Sequence, residues 1–268
     1  MSGLPNQASI RAKVKSVARR VTPSSRAALR EVFTLLTPWD SGIPLVRVGS
    51  EGDGGYLLPD DLSDIASAFS PGVSRKWDFE RHVAAEYGIT SYMIDGSVDA
   101  PVDLTSMQHF QRLWLGPRSR GNVISLDDWV TAERPDSDSD LLLQMDIEGA
   151  EYQVLAKTPL DTLRRFRIAV VEFHSLDWIT ISPVLKYRIL PALRKMAVDF
   201  EVVHVHPNNC CEVTMVHGIP VPKVLEVTYL RRDRIRQINV RSQLPNEMDR
   251  DCVPTMPSVV LNSWWPQR

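Results

Sequence analysis

Residues 141–155, with the sequence LLLQMDIEGAEYQVL, place three carboxylates directly after an apolar run. The run 141–145 holds one glutamine among four apolar side chains, which predicts a buried strand, and residues 150–156 predict a helix. Asp146 stands at the junction, where a charge is costly unless it is paired or binds a ligand. The stretch therefore predicts a strand, a turn and a helix with a ligand site at the end of the strand.

The alternation of strand and helix continues on both sides of this unit. It predicts an α/β fold in which a mostly parallel sheet is covered on both faces. The predicted strands cover residues 65–70, 91–94, 110–115, 141–145, 168–171, 201–205 and 224–230. The predicted helices cover residues 26–39, 77–87, 126–131, 150–156 and 183–196, and residues 49–56 are predicted as a loop. Because no helix is predicted between the last two strands, they can pair antiparallel through a long hairpin at the edge of the sheet.

Length and composition fit one globular domain with an addition. The chain has 268 residues, 43% of them hydrophobic, and a formal net charge of -2. A chain of this length buries a core without disulfides, and its lack of excess positive charge leads us to expect no nucleic acid among its partners. Cys210, Cys211 and Cys252 make a poor disulfide framework, which favours a reducing compartment and a cytoplasmic protein.

The first 40 residues are predicted to be a helical extension, and residues 41–268 to be the α/β domain. Seven lysines and arginines precede the first acid, Glu31, and apolar residues of this segment recur at helical spacing. The segment predicts either a helix packed across the main domain or a peripheral contact with anionic lipid at the inner face of the membrane. No apolar run is long enough to span a bilayer, and charges interrupt any signal peptide pattern.

The ends of the predicted strands hold the candidate ligand-binding residues, because open α/β sheets bind ligands beyond the carboxyl ends of their strands. Gly72 follows the first of these strands and permits close approach of a ligand to the backbone. Asp95 and Gly96 follow the second, where an acid can accept both hydroxyls of a ribose. Nicotinamide-dependent enzymes and S-adenosylmethionine-dependent enzymes share this geometry.

Four stretches resemble the FkbM-type S-adenosylmethionine-dependent methyltransferases. The most specific is 143–155, and the others are RVG with DGGY (47–56), SPGV with DFE (70–80), and HVHPNN with LEVTY (204–229). Gln144 stands where the family usually has lysine, and Pro71 interrupts the glycine motif. The resemblance extends over residues 46–232 and implies a class I methyltransferase Rossmann-like fold with an antiparallel edge hairpin.

The resemblance also implies an activity and a set of binding residues. The activity is transfer of a methyl group from S-adenosylmethionine to a hydroxyl of a sugar, glycolipid or related natural product. The cofactor-binding residues are expected to be Asp53, Gly54, Tyr56, Ser70, Gly72, Glu80, Asp95, Gly96 and Asp146. For the acceptor, His206, Asn208 and Asn209 offer polar groups that suit sugar hydroxyls, and Glu226 on an apolar strand needs a partner.

A sugar hydroxyl is weakly acidic, so its methylation needs a base or a metal. In one arrangement His174 is the general base, positioned by Asp146 or Glu148, and these three form the catalytic set. In the other, Asp146, Glu172 and His174 bind Mg²⁺ or Mn²⁺. Glu151 fits the first turn of the following helix, where a negative charge is favourable. Two further classes remain as alternatives, a nicotinamide-dependent oxidoreductase and a non-catalytic methyltransferase-like scaffold.

Overall fold

A seven-stranded sheet forms the centre of the computed structural model, which describes residues 22–136, 138–240 and 244–261. In chain order the described strands are β1 (Trp39–Asp40), β2 (Leu45–Gly49), β3 (Gly55–Pro59), β4 (Ser67–Pro71), β5 (Thr90–Ile94), β6 (Gln108–Gln111), β7 (Trp114–Gly116), β8 (Val123–Ser125), β9 (Leu141–Met145), β10 (Phe166–Phe173), β11 (Phe200–Pro207), β12 (Val213–Val216), β13 (Ile219–Pro222), β14 (Leu225–Arg231) and β15 (Asn239–Val240). The described α-helices are α1 (Arg26–Leu35), α2 (Asp78–Tyr87), α3 (Leu126–Glu133), α4 (Glu151–Lys157), α5 (Leu160–Arg164), α6 (Ser182–Val184) and α7 (Leu190–Asp199).

Three further helical segments complete the described elements. Leu176–Thr180 and Arg232–Arg234 are 3₁₀-helical, and Leu185–Ile189 is a π-helical segment between α6 and α7. π-Helical segments inside longer helices are rare and frequently occur at functional sites.

The sheet has the order β11-β14-β10-β9-β4-β5-β6. The five strands β10, β9, β4, β5 and β6 are parallel, and β14 lies antiparallel between β10 and β11. The predicted Rossmann-like fold, a mostly parallel sheet with an antiparallel pair at its edge, is confirmed. The carboxyl ends of β4, β9 and β10 meet at one edge of the sheet.

Both faces of the sheet are covered, so β9 and β10 are buried along their whole length. Along β9, Leu141, Leu143 and Met145 pack in one apolar core with α1, α3, α4 and α7. Leu142 points to the opposite face, into a second core with α2 and the β2–β3 pair. Burial on both faces explains why these strands have nearly continuous apolar sequences.

Most predicted strands occur, with ends that differ by no more than two residues. These are the predictions at 65–70, 91–94, 141–145, 168–171, 201–205 and 224–230. The predicted strand 110–115 is wrong, because the chain turns at Leu113, whose N–H donates to the carbonyl of Gln111 at 2.9 Å. The two halves join different sheets, since β6 pairs with β5 and β7 pairs with β8.

The structure contains two hairpins that the sequence pattern does not predict. The predicted loop 49–56 is the tight connection between β2 and β3, and part of it belongs to these strands. This pair packs on the sheet, where the Thr228 hydroxyl donates to the Leu57 carbonyl at 2.8 Å. The second hairpin, β12–β13, lies within the long connection between β11 and β14. Short strands that pair locally show no long apolar alternation, so the sequence pattern does not reveal them.

The helix predicted at 26–39 ends at Leu35, before Pro38, which disfavours helical backbone at the preceding Thr37. Its buried residues Leu29, Val32 and Phe33 pack into the same core as the sheet. The predicted basic helix falls largely on residues 1–21, outside the described part of the chain, and the domain boundary at 40/41 stays a prediction. Among the described helices, none has the length and apolarity needed to cross a membrane.

We expect Phe69→Ala to lower the free energy of unfolding by about 3–5 kcal/mol, because it removes a buried aromatic side chain from β4, which lies between β9 and β5 in the sheet. The Phe69 ring is fully buried, with Trp129 edge-on at 4.9 Å and Tyr92 at 5.3 Å between ring centroids. Urea denaturation measures the change. Val102→Ala, at a fully exposed position, is the control and should change stability by less than about 0.5 kcal/mol. A similar small loss in both variants would contradict this core assignment.

Candidate active site

A cavity of about 920 Å³ opens at the edge of the sheet where β4, β9 and β10 end. The turn after β4 contributes Gly72 to its lining, the turn after β9 contributes Asp146 and Glu148, and β10 with the residue after it contributes Glu172 and His174. The structure therefore brings together all the residues predicted for catalysis and metal binding.

The turns after β4 and β9 pack against each other through their backbones. The Asp146 N–H donates to the carbonyl of Pro71 at 3.2 Å. Gly72 has a φ of +87°, and a Cβ atom placed on it would lie 1.6 Å from the Asp146 carbonyl oxygen. Only glycine fits there, which accounts for the single glycine that follows β4. Glu148, with a φ of +55°, projects its side chain from the second turn into the mouth of the cavity.

His174 is held by Glu151, the first residue of α4. The fully buried Glu151 carboxylate lies 3.0 Å from His174 Nδ1 and also accepts the Gly149 N–H at 2.8 Å. Nδ1–H therefore donates to Glu151, and Nε2 faces the cavity. The sequence predicts Glu151 at a helix terminus, and it predicts Asp146 or Glu148 as the residue that positions His174. In the structure the buried partner of the ring is Glu151.

Three more carboxylates surround His174 Nε2. It lies 3.5 Å from Glu148 Oε2 and 3.8 Å from oxygens of both Asp146 and Glu172. Glu148 is largely exposed, whereas the Glu172 side chain is buried and accepts a hydrogen bond from Asn208 Nδ2 at 3.3 Å. Asp146 Oδ1 is buried with no hydrogen-bond partner in the described part of the chain.

The close approach of these buried groups favours their protonated forms. Burial, with neighbouring negative charges, raises the pKa of Asp146 to about 7 and that of Glu172 to about 8. Burial alone lowers the pKa of His174, but the hydrogen bond to Glu151 and the surrounding carboxylates outweigh it and raise that pKa to about 9. At neutral pH His174 is therefore a cation, and the Asp146 carboxyl is the group whose pKa matches a base acting near pH 7.

The same cluster has donor atoms suited to a metal ion. Ligand atoms of Asp146, Glu148 and His174 lie within 4.8 Å of one another. The predicted metal set contains Glu172 in place of Glu148, and Glu172 is already engaged by Asn208. A histidine whose other ring nitrogen donates to a carboxylate is a common arrangement in metal sites.

Part of the predicted cofactor set lines the cavity. Asp53 lies at its rim in a salt bridge with Lys76 at 2.6 Å, and the buried Tyr56 hydroxyl accepts from Gln144 Nε2 at 3.1 Å. Glu80, only 1% exposed, has one carboxylate oxygen without a hydrogen-bond partner among the described residues. Burial raises the pKa of Glu80 to about 7. Gly54, Gly72 and Asp146 line the cavity as well.

Three other predicted cofactor residues do not line it. Both Asp95 oxygens accept backbone hydrogen bonds, from Ser74 N–H at 2.8 Å and Ser97 N–H at 2.7 Å. The Trp114 indole covers Gly96, where a Cβ atom would lie 2.2 Å from the ring. The Ser70 side chain is completely buried. Their roles toward a cofactor stay predictions.

The residues predicted for the acceptor separate into two groups. Asn208 lines the cavity, whereas Asn209 binds the C-terminal segment through the backbone of Val253 and Met256. His206 and Glu226 lie behind the cavity on neighbouring strands, where they are paired in register.

A second ionisable cluster forms there. Asp249 lies 2.8 Å from His204 Nε2 and 3.6 Å from His206 Nδ1. Burial raises the pKa of Glu226 to about 8. Burial lowers the pKa of His206, but Asp249, Glu226 and Asp251 together outweigh it and raise that pKa to about 9. Glu226 is also in register with Glu172 on β10, so the two clusters adjoin across the sheet.

Several lining residues were not predicted. Trp178, Arg188 and Lys223 form the side of the cavity that adjoins His174. All three cysteines also line it, and the sulfur atoms of Cys210 and Cys211 are 2.8 Å apart. These residues belong to separate short segments, and no common spacing in the sequence joins them.

Comparison with known proteins supports the resemblance found in the sequence. Residues 91–217 match the family model described as Methyltransferase FkbM domain. The chain is also similar to a chain of a crystal structure of a fibrillarin/Nop5p complex, with 13% identity, 70% of this chain and 94% of that chain covered, and a TM-score of 0.33. It is similar as well to a chain of a complex between the Haloferax volcanii Trm112 methyltransferase activator and a methyltransferase. The identity there is 14%, 82% of this chain and 94% of that chain are covered, and the TM-score is 0.32. No curated protein matches the sequence.

We expect the stability of the ligand-free protein to fall as pH rises from about 5 to 9. Asp146, Glu172 and Glu226 have folded-state pKa values above their unfolded values, so the folded protein binds more protons across this interval. Their contribution is fully present below the unfolded pKa and is lost as pH passes the folded pKa. Glu172→Gln should make the decline shallower, by up to about 1 kcal/mol per pH unit.

Urea denaturation at several pH values measures this dependence. Glu86→Gln, at an exposed position on α2, is the matched control and should keep the wild-type slope. Stability that rises with pH over this interval, or an unchanged slope in Glu172→Gln, would contradict the assignment of protons to the cluster.

Proposed function

We propose that this chain, which carries a methyltransferase FkbM domain over residues 91–217, transfers a methyl group from S-adenosylmethionine to a hydroxyl of a saccharide, glycolipid or related natural product. The observation that carries the proposal is the group of carboxylates around His174 in a cavity at the carboxyl ends of β4, β9 and β10. Such a group is suited to take the proton of a hydroxyl while the cavity holds the methyl donor beside it.

The cavity fits S-adenosylmethionine in its charge. Five carboxylates line it: Asp53, Glu80, Asp146, Glu148 and Glu172. In their ionised forms they favour a ligand with sulfonium and ammonium charges, and the unpartnered oxygen of Glu80 suits an ammonium donor. At the turn after β4, where a dinucleotide-binding fold places the pyrophosphate, Asp53 and Glu80 oppose such a group, which argues against the oxidoreductase alternative. S-adenosylmethionine supplies a methyl group activated by its positively charged sulfur.

The chain's own residues account for proton removal. The acceptor oxygen forms a bond to the methyl carbon as the carbon–sulfur bond breaks, and the hydroxyl proton passes to the Asp146 carboxylate. Asp146 is the base because its pKa, raised to about 7 by burial, matches neutral pH. The His174 cation lies 3.8 Å from Asp146 and keeps the buried carboxylate charged in the reacting state.

A bound divalent cation is a second candidate for activating the hydroxyl. Asp146, Glu148 and His174 would hold Mg²⁺ or Mn²⁺, and the cation would lower the pKa of a hydroxyl bound to it. The observation in favour is the proximity of the three donor atoms together with the Glu151 hydrogen bond on the other ring nitrogen of His174.

The proposal also covers the acceptor molecule and the location of the protein in the cell. Asn208, at the cavity wall beside Glu172, offers amide groups that hydrogen-bond sugar hydroxyls. The basic residues at the N-terminus support a cytoplasmic protein that contacts the inner face of the membrane, where a glycolipid acceptor would lie.

Cofactor binding is tested by calorimetric titration with S-adenosylmethionine, S-adenosylhomocysteine and NAD⁺. We expect the first two to bind, and Glu80→Gln to weaken S-adenosylhomocysteine binding about tenfold or more, because a buried charge-assisted hydrogen bond is lost. Glu86→Gln on the same helix should bind like the wild type. Tight binding of NAD⁺ alone would favour the oxidoreductase, and binding of none of the three would favour the scaffold.

Methyl transfer is tested by incubating labelled S-adenosylmethionine with saccharide and glycolipid extracts and detecting the product by mass. We expect Asp146→Asn to lower turnover about a hundredfold or more. Asp99→Asn, an exposed acid outside the cavity, should keep it. Loss of activity in EDTA that Mg²⁺ or Mn²⁺ restores would assign the metal mechanism, and full activity in EDTA the carboxylate base. Unchanged turnover of Asp146→Asn would remove this residue from the chemistry.

A further inference from the structure

We propose that the acceptor carries a negatively charged group, a carboxylate or a phosphate, and that Trp178, Arg188 and Lys223 form its binding subsite. These three residues are called the cationic wall. The inference rests on the proposed methyl transfer, because it specifies which acceptors enter the cavity that holds the methyl donor.

The cationic wall is built beside His174 by three segments of the chain. Trp178 lies on the 3₁₀ segment Leu176–Thr180, which begins two residues after His174. The backbone carbonyl of Lys223 accepts the Leu176 N–H at 3.0 Å, which fixes Lys223 next to that segment. Arg188 comes from the π-helical segment, and its guanidinium carbon is 5.6 Å from the centroid of the Trp178 ring. All three residues line the cavity.

Arg188 is fixed in place without being neutralised. Its guanidinium lies over Trp178 and, at 6.0 Å, over Tyr152, and it donates a hydrogen bond to the Gly149 carbonyl. In the described part of the chain no carboxylate lies within salt-bridge distance of it, and its Nε is buried without a hydrogen-bond partner. A guanidinium has five N–H donors in a planar fork that matches carboxylate and phosphate oxygens.

Lys223 adds a second positive charge to the wall. Its side chain is half-buried, and no salt bridge joins it to a carboxylate among the residues that the structure describes. The charge of Lys223 lowers the pKa of the nearby Asp177, although burial has the larger effect and raises that pKa, and the two groups form no salt bridge. Two cations therefore share one cavity wall, neither of them in a salt bridge with a carboxylate in the described part of the chain, and a bound anion would supply such a partner.

The two sides of the cavity differ in their charged groups. At the end of β9, Glu148 and the ionised form of Asp146 repel an anion, whereas Arg188 and Lys223 attract one, so an anionic group is directed to the cationic wall. The cofactor's own carboxylate is the competing ligand for Arg188. The turn at Gly72 and the unpartnered Glu80 belong to β4 and α2, however, and β9 separates β4 from β10, after which the wall begins. This separation favours the acceptor as the ligand of the wall.

The test compares sugars that differ in one charged group. Saturation-transfer NMR on protein saturated with S-adenosylhomocysteine measures binding of glucuronate against glucose, galacturonate against galactose, and the 6-phosphates of both hexoses. We expect at least one anionic sugar to bind about tenfold or more tightly than its neutral counterpart, as for a hydrogen bond to a charged group. The uronates and the phosphates distinguish the two kinds of anion.

Variants of the cationic wall test whether it causes the preference for anionic sugars. Arg188→Gln and Lys223→Gln should each lose the preference for the anionic sugar and keep the wild-type affinity for S-adenosylhomocysteine within about twofold. Lys186→Gln is the matched control, because Lys186 is exposed on the same π-helical segment and does not line the cavity, so its preference should persist. Thermal unfolding verifies folding, and if Arg188→Gln does not fold, Lys223→Gln decides alone.

Three outcomes would overturn the inference: no preference for any anionic sugar, a preference unchanged in both wall variants, or a matching loss of S-adenosylhomocysteine affinity, which would assign the wall to the cofactor. If the wild type does not bind S-adenosylhomocysteine at all, the proposed methyl transfer fails first, and the two failures are thereby distinguished.

Discussion

The hydrogen bond between the buried Glu151 carboxylate and His174 Nδ1 determines the arrangement of the rest of the site. It orients the imidazole so that Nε2 faces the cavity, and it ties the end of β10 to the start of α4. The same carboxylate accepts the Gly149 N–H, so it also fixes the turn that carries Asp146 and Glu148. One buried acid thus sets the relative positions of the groups on β9 and β10 on which either activation mechanism depends.

This arrangement places further ionisable groups in the buried part of the neighbouring strands, which is energetically unfavourable. Glu172 and Glu226 stand in register on β10 and β14, and both keep raised pKa values because the sheet buries two like charges side by side. His206 and Asp249 adjoin Glu226, so ionisable groups extend from the cavity across the antiparallel edge of the sheet. A cationic ligand in the cavity relieves part of this repulsion, which makes ligand binding and protonation of the cluster interdependent.

Sequence patterns predicted the central sheet well and the site only in part. The strand 141–145 was predicted with the bounds that the structure shows, because burial on both faces requires a nearly continuous apolar run, which here ends at Asp146. The strand 110–115 was wrong because a local turn at Leu113, invisible in hydrophobic periodicity, divides it. Strand-end reasoning found His174 and Glu172. It missed Glu151, whose position at the start of a helix already had a sufficient explanation. Arg188 and Lys223 come from segments that only tertiary packing brings together.

The close packing of Gly72 against the Asp146 carbonyl divides the cavity into two regions that differ in how they can change. Between the turns after β4 and β9, the walls meet through main-chain atoms, and amino acid substitutions there would disturb the path of the backbone itself. Beyond β10, the walls are side chains on short helical segments, which can be exchanged without moving the sheet. Changes in ligand preference, whether by natural variation or by design, are therefore accessible on the β10 side and are constrained on the β4 side.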